Sequence, residues 1–504
     1  MIDELHKRHP RRRPQQRPRT IRGSRPVPAF LVWVPSHDGV VSDSISFNRS
    51  SANGPAFIRH LDIVDHSDYV FYAALLLLPV DGTVLGFYMA FWTPISPWLF
   101  MVYVLLNRSL LPQVCRRFRT FFLLSVALFA LSIVGWVTFA FHILPALWSF
   151  LEISGALACL SALEIAIRIK RLDWRDMIRT LIAVYWVAFA IGVVQFFAIK
   201  LDVPLIRDWF SHLMSREYIT SDSQWGGDRP QFLFAEPSYI GMHLYGVLLP
   251  LMWIMRDHDR ICMKRLRDLI VVFVVGAILM GAGIRIIIDT GVTLVIMLVM
   301  HTDFHNREQA KRTYEVFGVM FVAGVVIGAL NSRIRSILLQ GPIAGIMNPF
   351  YAFVGFGAGN LSEVERTVRQ SEQLIPGISN PGPTWWWLKT VWRPDSVRTG
   401  TITMSAYSSL IGEFGLIGFI ALAAVIIRYV REQRPWNRMI VCWLILTAYL
   451  YVQFEGYAFY ALPLFIWTIG NRDIRCAVPL TRSEESGDGD ILQAVRRFTI
   501  TSTG

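Results

Sequence analysis

The chain has 504 residues, of which 53% are hydrophobic and 17% are charged, and its formal net charge is +12. Soluble domains carry nearer a quarter charged residues, whereas this chain has recurring apolar runs of about 20 residues, long enough to cross ~30 Å of hydrocarbon. These values exclude an ordinary soluble domain and predict an all-α, polytopic integral membrane protein. The positive charge does not require a nucleic-acid partner, because Lys and Arg gather in short segments between the apolar runs.

The N-terminal segment, 1–68, is polar and rich in Arg and Pro. Such a composition cannot build a hydrophobic core, and it predicts a disordered basic tail. The simpler interpretation is a solvated cytoplasmic tail that helps fix the orientation of the chain. Binding to anionic lipid or to a partner protein is the alternative.

About twelve apolar segments follow the tail. Their limits are 69–89, 92–107, 120–143, 145–168, 179–200, 237–255, 269–283, 285–300, 314–331, 405–427, 438–454 and 457–470. The basic loops between them are 115–119, 170–175, 256–267, 305–312 and 428–438. With the N-terminus inside, twelve spans place all five basic loops and both termini on the cytoplasmic side, as the positive-inside rule requires.

The resulting organisation is a membrane domain, 69–470, followed by a cytoplasmic tail, 471–504. Two longer segments, 201–236 and 332–404, are expected on the outer face, and the second is the large extracytoplasmic loop. The five cysteines have no paired or metal-ligand spacing, and none lies in an expected extracytoplasmic loop, so we expect no structural disulfide.

The first candidate site lies at the boundary between the first outer segment and a membrane helix, where the sequence reads GGDRPQFLFAEPSYIGMHLYG over 226–246. Arg229 can bind an anionic group such as a phosphate, and Glu236 can serve as an acid, a base or an orienting carboxylate. The alternatives are an interfacial arginine and a carboxylate that caps the helix. His243 lies two helical turns beyond Glu236, and we predict a packed, hydrogen-bonded histidine rather than a catalyst.

The second candidate site is the hairpin turn GAGIR at 281–285. Gly281 and Gly283 permit a tight turn, and Arg285 begins the returning helix. Asp289 follows four residues later, which is a spacing that allows an ion pair on one helix face. We predict a second phosphate-binding arginine oriented by Asp289, and a purely structural buried ion pair is the alternative.

The large outer loop supplies further candidates for substrate binding, because Trp faces stack on sugar rings and Arg binds phosphate. These candidates are Arg366, Arg369, Trp386, Arg393 and Arg398. An interfacial amphipathic segment would explain the same residues. Glu413, two turns into the next helix, is an intramembrane acid for which an orienting or packing role is favoured over catalysis.

Together these motifs resemble those of the O-antigen polymerase/ligase superfamily of bacterial polysaccharide synthesis. The resemblance covers about 69–470 and rests on Arg229 before FAEPS, on Gly283-Ile284-Arg285, and on EFGLIG at 413–418 after a long outer loop. The glutamate form of the first motif is similar to the exopolysaccharide polymerase branch. Each motif is short, and the resemblance depends on their combination.

The resemblance implies a metal-independent membrane glycosyltransferase of the C-type (GT-C) architecture in the bacterial cytoplasmic (inner) membrane. It would join undecaprenyl-diphosphate-linked oligosaccharide units on the outer face, with no cofactor. Arg229 and Arg285 would stabilise the diphosphate leaving group, and Glu236 is the first candidate for the base. A flippase and proteins for chain-length control and export would be its partners.

One departure from the family pattern favours a polymerase over a ligase. The ligases carry a histidine late in the large loop, whereas this chain has no histidine after His305. A ligase that moves glycan to another acceptor remains the alternative within the enzyme class. A lipid-linked oligosaccharide flippase or other transporter is the alternative outside it, because twelve spans suit both.

Overall fold

The computed structural model describes residues 64–86, 93–223, 227–256, 258–304, 306–330, 332–371, 405–452 and 459–471. Within these ranges the chain is helical and has no β-strand, which confirms the all-α prediction. The helices of the first half are α1 (Ser67–Leu76), α2 (Ser96–Leu106), α3 (Leu111–Arg117), α4 (Arg119–Thr138), α5 (Ile143–Leu163, with a π-helical extension Glu164–Ile169), α6 (Trp174–Lys200) and α7 (Pro204–Leu213).

The second half contributes ten further helices within the described residues. These are α8 (Pro237–Met255), α9 (Arg260–Leu279), α10 (Ile284–His301), α11 (Arg307–Leu330), α12 (Ser332–Met347), α13 (Pro349–Val354), α14 (Leu361–Ser371), α15 (Ala406–Gln433), α16 (Arg438–Tyr451) and α17 (Ala461–Gly470).

Among the described residues, six helices are long and apolar enough to cross a membrane. They are α4, α5, α6, α8, α10 and α15, and the bent pair α2–α3 is a seventh if it counts as one span. The chain is therefore a membrane-embedded helical protein, but the count falls short of the twelve spans expected. Part of the difference lies in α16 and α17, which are apolar but have only 14 and 10 residues.

The first expected span, 69–89, is not a continuous helix. Its helix ends at Leu76, and the chain turns back through Asp81 and Gly82. The Gly82 amide donates to the Leu233 carbonyl at 3.1 Å, so this turn lies against the segment before α8. The described helix is therefore shorter than the expected span, and Pro79 and the polar residues Asp81-Gly82-Thr83 follow it within the same apolar run.

The segment that the sequence indicated as a large outer loop also differs from a simple loop. Its first part forms α12, α13 and α14, and all three pack against α15. An apolar stretch, Leu338–Met347, lies within α12. Residues 372–404 lie outside the described residues.

Several contacts join the basic loops to one another or to the ends of neighbouring helices. Arg175 and Asp259 form an ion pair at 3.2 Å, which joins the second loop to the third. Arg117 of the first loop and Arg434 of the fifth both donate to backbone carbonyls at the C-terminal end of α17. Arg438 donates to a carbonyl that follows α10, next to the fourth loop. Cations at helix C-termini are favourable, so these arginines also stabilise the helix ends.

Helix α8 is the most enclosed of the candidate spans, because 89% of its apolar window is buried within the protein. Glu236 precedes it in an extended conformation, and Pro237 occupies its first turn, where no amide donor is needed. Helices α9, α10, α16 and α17 contact it. The first turn of α8, Pro237–Tyr239, contacts α10, whereas α9, α16 and α17 contact its later turns. Since α8 ends at Met255, next to the basic loop 256–267, its start lies at the other end of the helix from that loop.

Candidate functional site

Glu236 forms an ion pair that the sequence analysis did not identify. Its Oε1 accepts a hydrogen bond from Nη1 of Arg216, and its Oε2 accepts one from the Ser238 hydroxyl at 2.8 Å. The Arg216 side chain is 8% exposed and that of Glu236 is 16% exposed. Arg216 lies 20 residues upstream, in the segment between α7 and α8. No helical spacing links the two residues, so sequence alone offered no signal for this pair.

Arg285 and Asp289 form the predicted ion pair on the first turns of α10. The Arg285 Nε donates to both carboxylate oxygens, at 2.8 and 3.0 Å. Asp289 is fully buried and also accepts from the Tyr449 hydroxyl of α16, at 2.7 Å. Within the described part of the chain, Nη2 of Arg285 is buried and has no hydrogen-bond partner. The guanidinium is thus fixed along its Nε edge, and the donor capacity of the buried Nη2 is unused.

Gly241 brings the start of α8 against α10. A Cβ atom at this position would lie 2.8 Å from Cγ and 2.9 Å from Cβ of Asp289, closer than any side chain tolerates. Glycine is therefore required for the close approach of the two helices. Since Gly241 follows Glu236 by five residues, this contact brings the two predicted motifs into one region.

Arg229 links the outer segment to the hairpin turn before α10. Its amide donates to the Tyr218 carbonyl at 2.9 Å, and its guanidinium lies 5.2 Å from the centroid of the Tyr218 ring. Its Nη1 is 3.9 Å from the position of a Cβ on Gly283. Gly281 and Gly283 have φ angles of +72° and +151°, which confirms the predicted tight turn. Arg285 follows two residues after Gly283.

These contacts link three arginines and two carboxylates into one connected group at the start of α8 and α10. We call this group the arginine cluster, and its members are Arg216, Arg229, Arg285, Glu236 and Asp289. Tyr218, Gly283 and Gly241 make the connecting contacts. The arrangement suits a multiply charged anion such as a diphosphate, because guanidinium groups bind phosphate oxygens in a fork geometry.

Two buried glutamines hold the segment that leads to Glu236. The Gln195 side chain of α6 accepts from the amides of Gln231 and Phe232, at 3.1 and 2.7 Å, and donates to the Phe232 carbonyl at 2.7 Å. Phe232 has φ +61°, a left-handed conformation that is costly for a bulky residue. The Gln231 side chain in turn donates to the Arg216 carbonyl at 2.8 Å. The backbone on both sides of the Arg216–Glu236 pair is therefore fixed by buried hydrogen bonds.

Asp81, His243 and Tyr185 form a buried polar triad that contacts the backbone next to Glu236. Asp81 accepts from the Ala235 amide at 2.9 Å, and its second oxygen is 2.9 Å from Nε2 of His243. The other ring nitrogen of His243 is 2.7 Å from the Tyr185 hydroxyl. The prediction of a packed, hydrogen-bonded His243 is confirmed. Sequence reasoning missed Asp81, because it appeared to lie inside an apolar span.

Glu413 belongs to a different part of the bundle. Its Oε1 accepts from the Ser149 hydroxyl at 2.6 Å and from the Gly359 amide at 2.9 Å. Helix α15 is kinked at Gly415, where φ is +66°, and the turn 355–360 packs into this kink. Glu413 therefore joins α5, the glycine-rich turn and α15. These contacts orient and pack the helices around Glu413. Asp289 is at a different place, where α8, α10 and α16 meet.

The remaining candidates from the large loop are only partly described. Arg366 lies on α14, is exposed, and pairs with Glu363 at 3.1 Å. Arg369 is on the same helix. Trp386, Arg393 and Arg398 lie outside the described residues, so their predicted roles remain predictions. Over the ranges that the structure covers, no group of three or more His, Cys, Asp or Glu side chains could hold a metal ion.

Comparison with known proteins found no matching family model, no matching curated protein and no matching solved structure.

Proposed function

We propose that the chain is a membrane glycosyltransferase that polymerises undecaprenyl-diphosphate-linked oligosaccharide units into exopolysaccharide or O-antigen. It would act on the outer face of the bacterial cytoplasmic membrane, with both termini in the cytoplasm. The twelve-span topology and the C-type architecture belong to this proposal, with the shorter helices α16 and α17 among the spans. The proposal extends the motif resemblance with the geometry of the arginine cluster.

The observation that supports the proposal most strongly is the convergence of the two arginine motifs. Arg229 and Arg285 are 56 positions apart in sequence, yet Arg229 lies beside Gly283, at the turn that presents Arg285. The positive-inside rule assigns the basic loops to the cytoplasm, and the start of α8 lies at the other end of that helix from the loop 256–267. On this orientation the arginine cluster faces outward, where a flipped lipid diphosphate would be presented.

The proposed reaction transfers the growing glycan from its lipid diphosphate to a hydroxyl of the next unit. The acceptor oxygen attacks the anomeric carbon, the bond from that carbon to the diphosphate oxygen breaks, and its electron pair leaves with the lipid diphosphate. The Glu236 carboxylate accepts the hydroxyl proton. Arg229 and Arg285 stabilise the negative charge that develops on the leaving group, an effect worth about 10²–10³ in rate for one preorganised group.

The lipid-linked intermediate that accumulates in a deletion strain tests this function. A polymerase predicts single repeat units on the outer face of the membrane, and complementation with Arg229→Gln or Arg285→Gln should leave them there. Units trapped on the inner face would instead assign the chain to lipid-linked oligosaccharide flipping. Normal polysaccharide length with both variants would refute the proposed roles of the arginines.

A further inference from the structure

We infer that Arg216 is a third arginine that contacts the lipid diphosphate, and that Glu236 positions its guanidinium. This inference rests on the proposed function and extends its substrate site by a residue that the motifs do not contain. Arg216 is joined to the site through Glu236 on one side. On the other side it lies two residues before Tyr218, whose ring faces the Arg229 guanidinium.

The two carboxylates of the arginine cluster have parallel arrangements. Asp289 holds Arg285 along one edge, and Glu236 holds Arg216 through Nη1. Each carboxylate has a second donor that fixes it, Tyr449 for Asp289 and Ser238 for Glu236. A hydrogen bond to a ligand-binding group from a neighbouring side chain is a usual means of orienting that group. The repeated arrangement indicates that carboxylates orient two of the guanidinium groups, those of Arg285 and Arg216.

The charges of the cluster support the same conclusion. A buried ion pair seldom stabilises a protein more than apolar packing would, because both ions lose their hydration. The Arg216–Glu236 pair is mostly buried. Arg216 pairs with Glu236 and Arg285 with Asp289, and Arg229 adds a third positive charge to the cluster. Arg216 can serve both Glu236 and a phosphate oxygen, because a guanidinium presents five N–H donors.

Binding of farnesyl diphosphate to the purified full-length protein in detergent tests the inference. We expect Arg216→Gln to weaken binding about tenfold, comparable to Arg285→Gln, because each variant loses one charge-assisted contact. Arg216→Lys keeps the charge but not the fork, and it should bind with intermediate affinity. Arg117→Gln is the matched control. It breaks a buried Arg–Glu pair of 2.6 Å outside the arginine cluster and should lower the melting midpoint without weakening binding.

The double variant Arg216→Gln/Glu236→Gln separates direct contact from an indirect charge effect. If Arg216 contacts the diphosphate, the double variant binds as weakly as Arg216→Gln alone. If Arg216 only neutralises Glu236, removal of both charges restores binding, and the inference is overturned. Unchanged binding by Arg216→Gln while Arg285→Gln loses affinity would overturn the inference and leave the proposed function standing. Absence of farnesyl diphosphate binding by the folded wild-type protein would contradict both.

Discussion

Substitution of Gly241 by alanine tests the contact that joins the two predicted motifs. The added methyl group would lie 2.8 Å from Cγ of Asp289, whereas carbon atoms in contact are normally about 3.5–4.0 Å apart. Asp289 must therefore move by about 1 Å. That shift lengthens its bonds to Arg285, at 2.8 Å, and to Tyr449, at 2.7 Å.

We expect Gly241→Ala to lower the free energy of unfolding by about 2 kcal/mol, within the range for overpacked cores. Polysaccharide synthesis should fall by more than the loss of folded protein alone would cause. A displacement of about 1 Å in a positioned group costs on the order of 10²-fold in rate. The assay is the amount of long-chain polysaccharide in a deletion strain that expresses the variant, normalised to folded protein in the membrane.

Gly246→Ala is the matched control on the same helix. Its added Cβ would lie 2.8 Å from a ring carbon of Phe459 and 3.0 Å from the Cβ of Ala461, so it also overpacks α8. It does not touch Asp289, and it should reduce stability without the additional loss of activity. Equal activity per folded protein for the two variants would refute the role given to the Gly241–Asp289 contact.

Three further changes test the structure around the site and the α15 kink. Asp81→Ala removes the acceptor of the Ala235 amide, and we expect a loss of about 3 kcal/mol in unfolding free energy, read from chemical denaturation in detergent. A loss under 1 kcal/mol would count against the triad as a support for Glu236. Gly415→Ala, at φ +66°, should destabilise by about 2–3 kcal/mol in the same assay, and a neutral result would contradict the kink. Gln195→Ala should expose Phe232 to chymotrypsin while the circular-dichroism helix signal is retained, and an unchanged cleavage rate would show that Gln195 does not hold this turn.

Local spacing was sufficient to predict the features that lie within one turn of helix or one loop. The Arg285–Asp289 pair follows from a separation of four residues, and the tight turn before it follows from Gly281 and Gly283. A common side for the basic loops stays a prediction from charge, because short loops rich in Lys and Arg stay on one side of a membrane.

Contacts between distant segments could not be predicted in this way. Tyr449 lies 160 residues from Asp289, and Arg216 reaches Glu236 across an irregular outer segment. Neither contact has a periodic pattern that marks it. The length of the first helix was also misjudged, because an apolar run is compatible with a short helix followed by a buried turn. Asp81 is retained in that turn because His243 and the Ala235 amide satisfy its carboxylate.

Reconstitution of the purified protein in liposomes shows whether the protein lengthens lipid-linked glycan. Lipid-linked repeat units are supplied on the outer side of the vesicles, and the length of the lipid-linked glycan is followed over time. We expect a ladder of longer glycans with wild-type protein and only the starting unit with Arg285→Gln. Movement of the units across the bilayer without any increase in glycan length would contradict the proposed polymerase function.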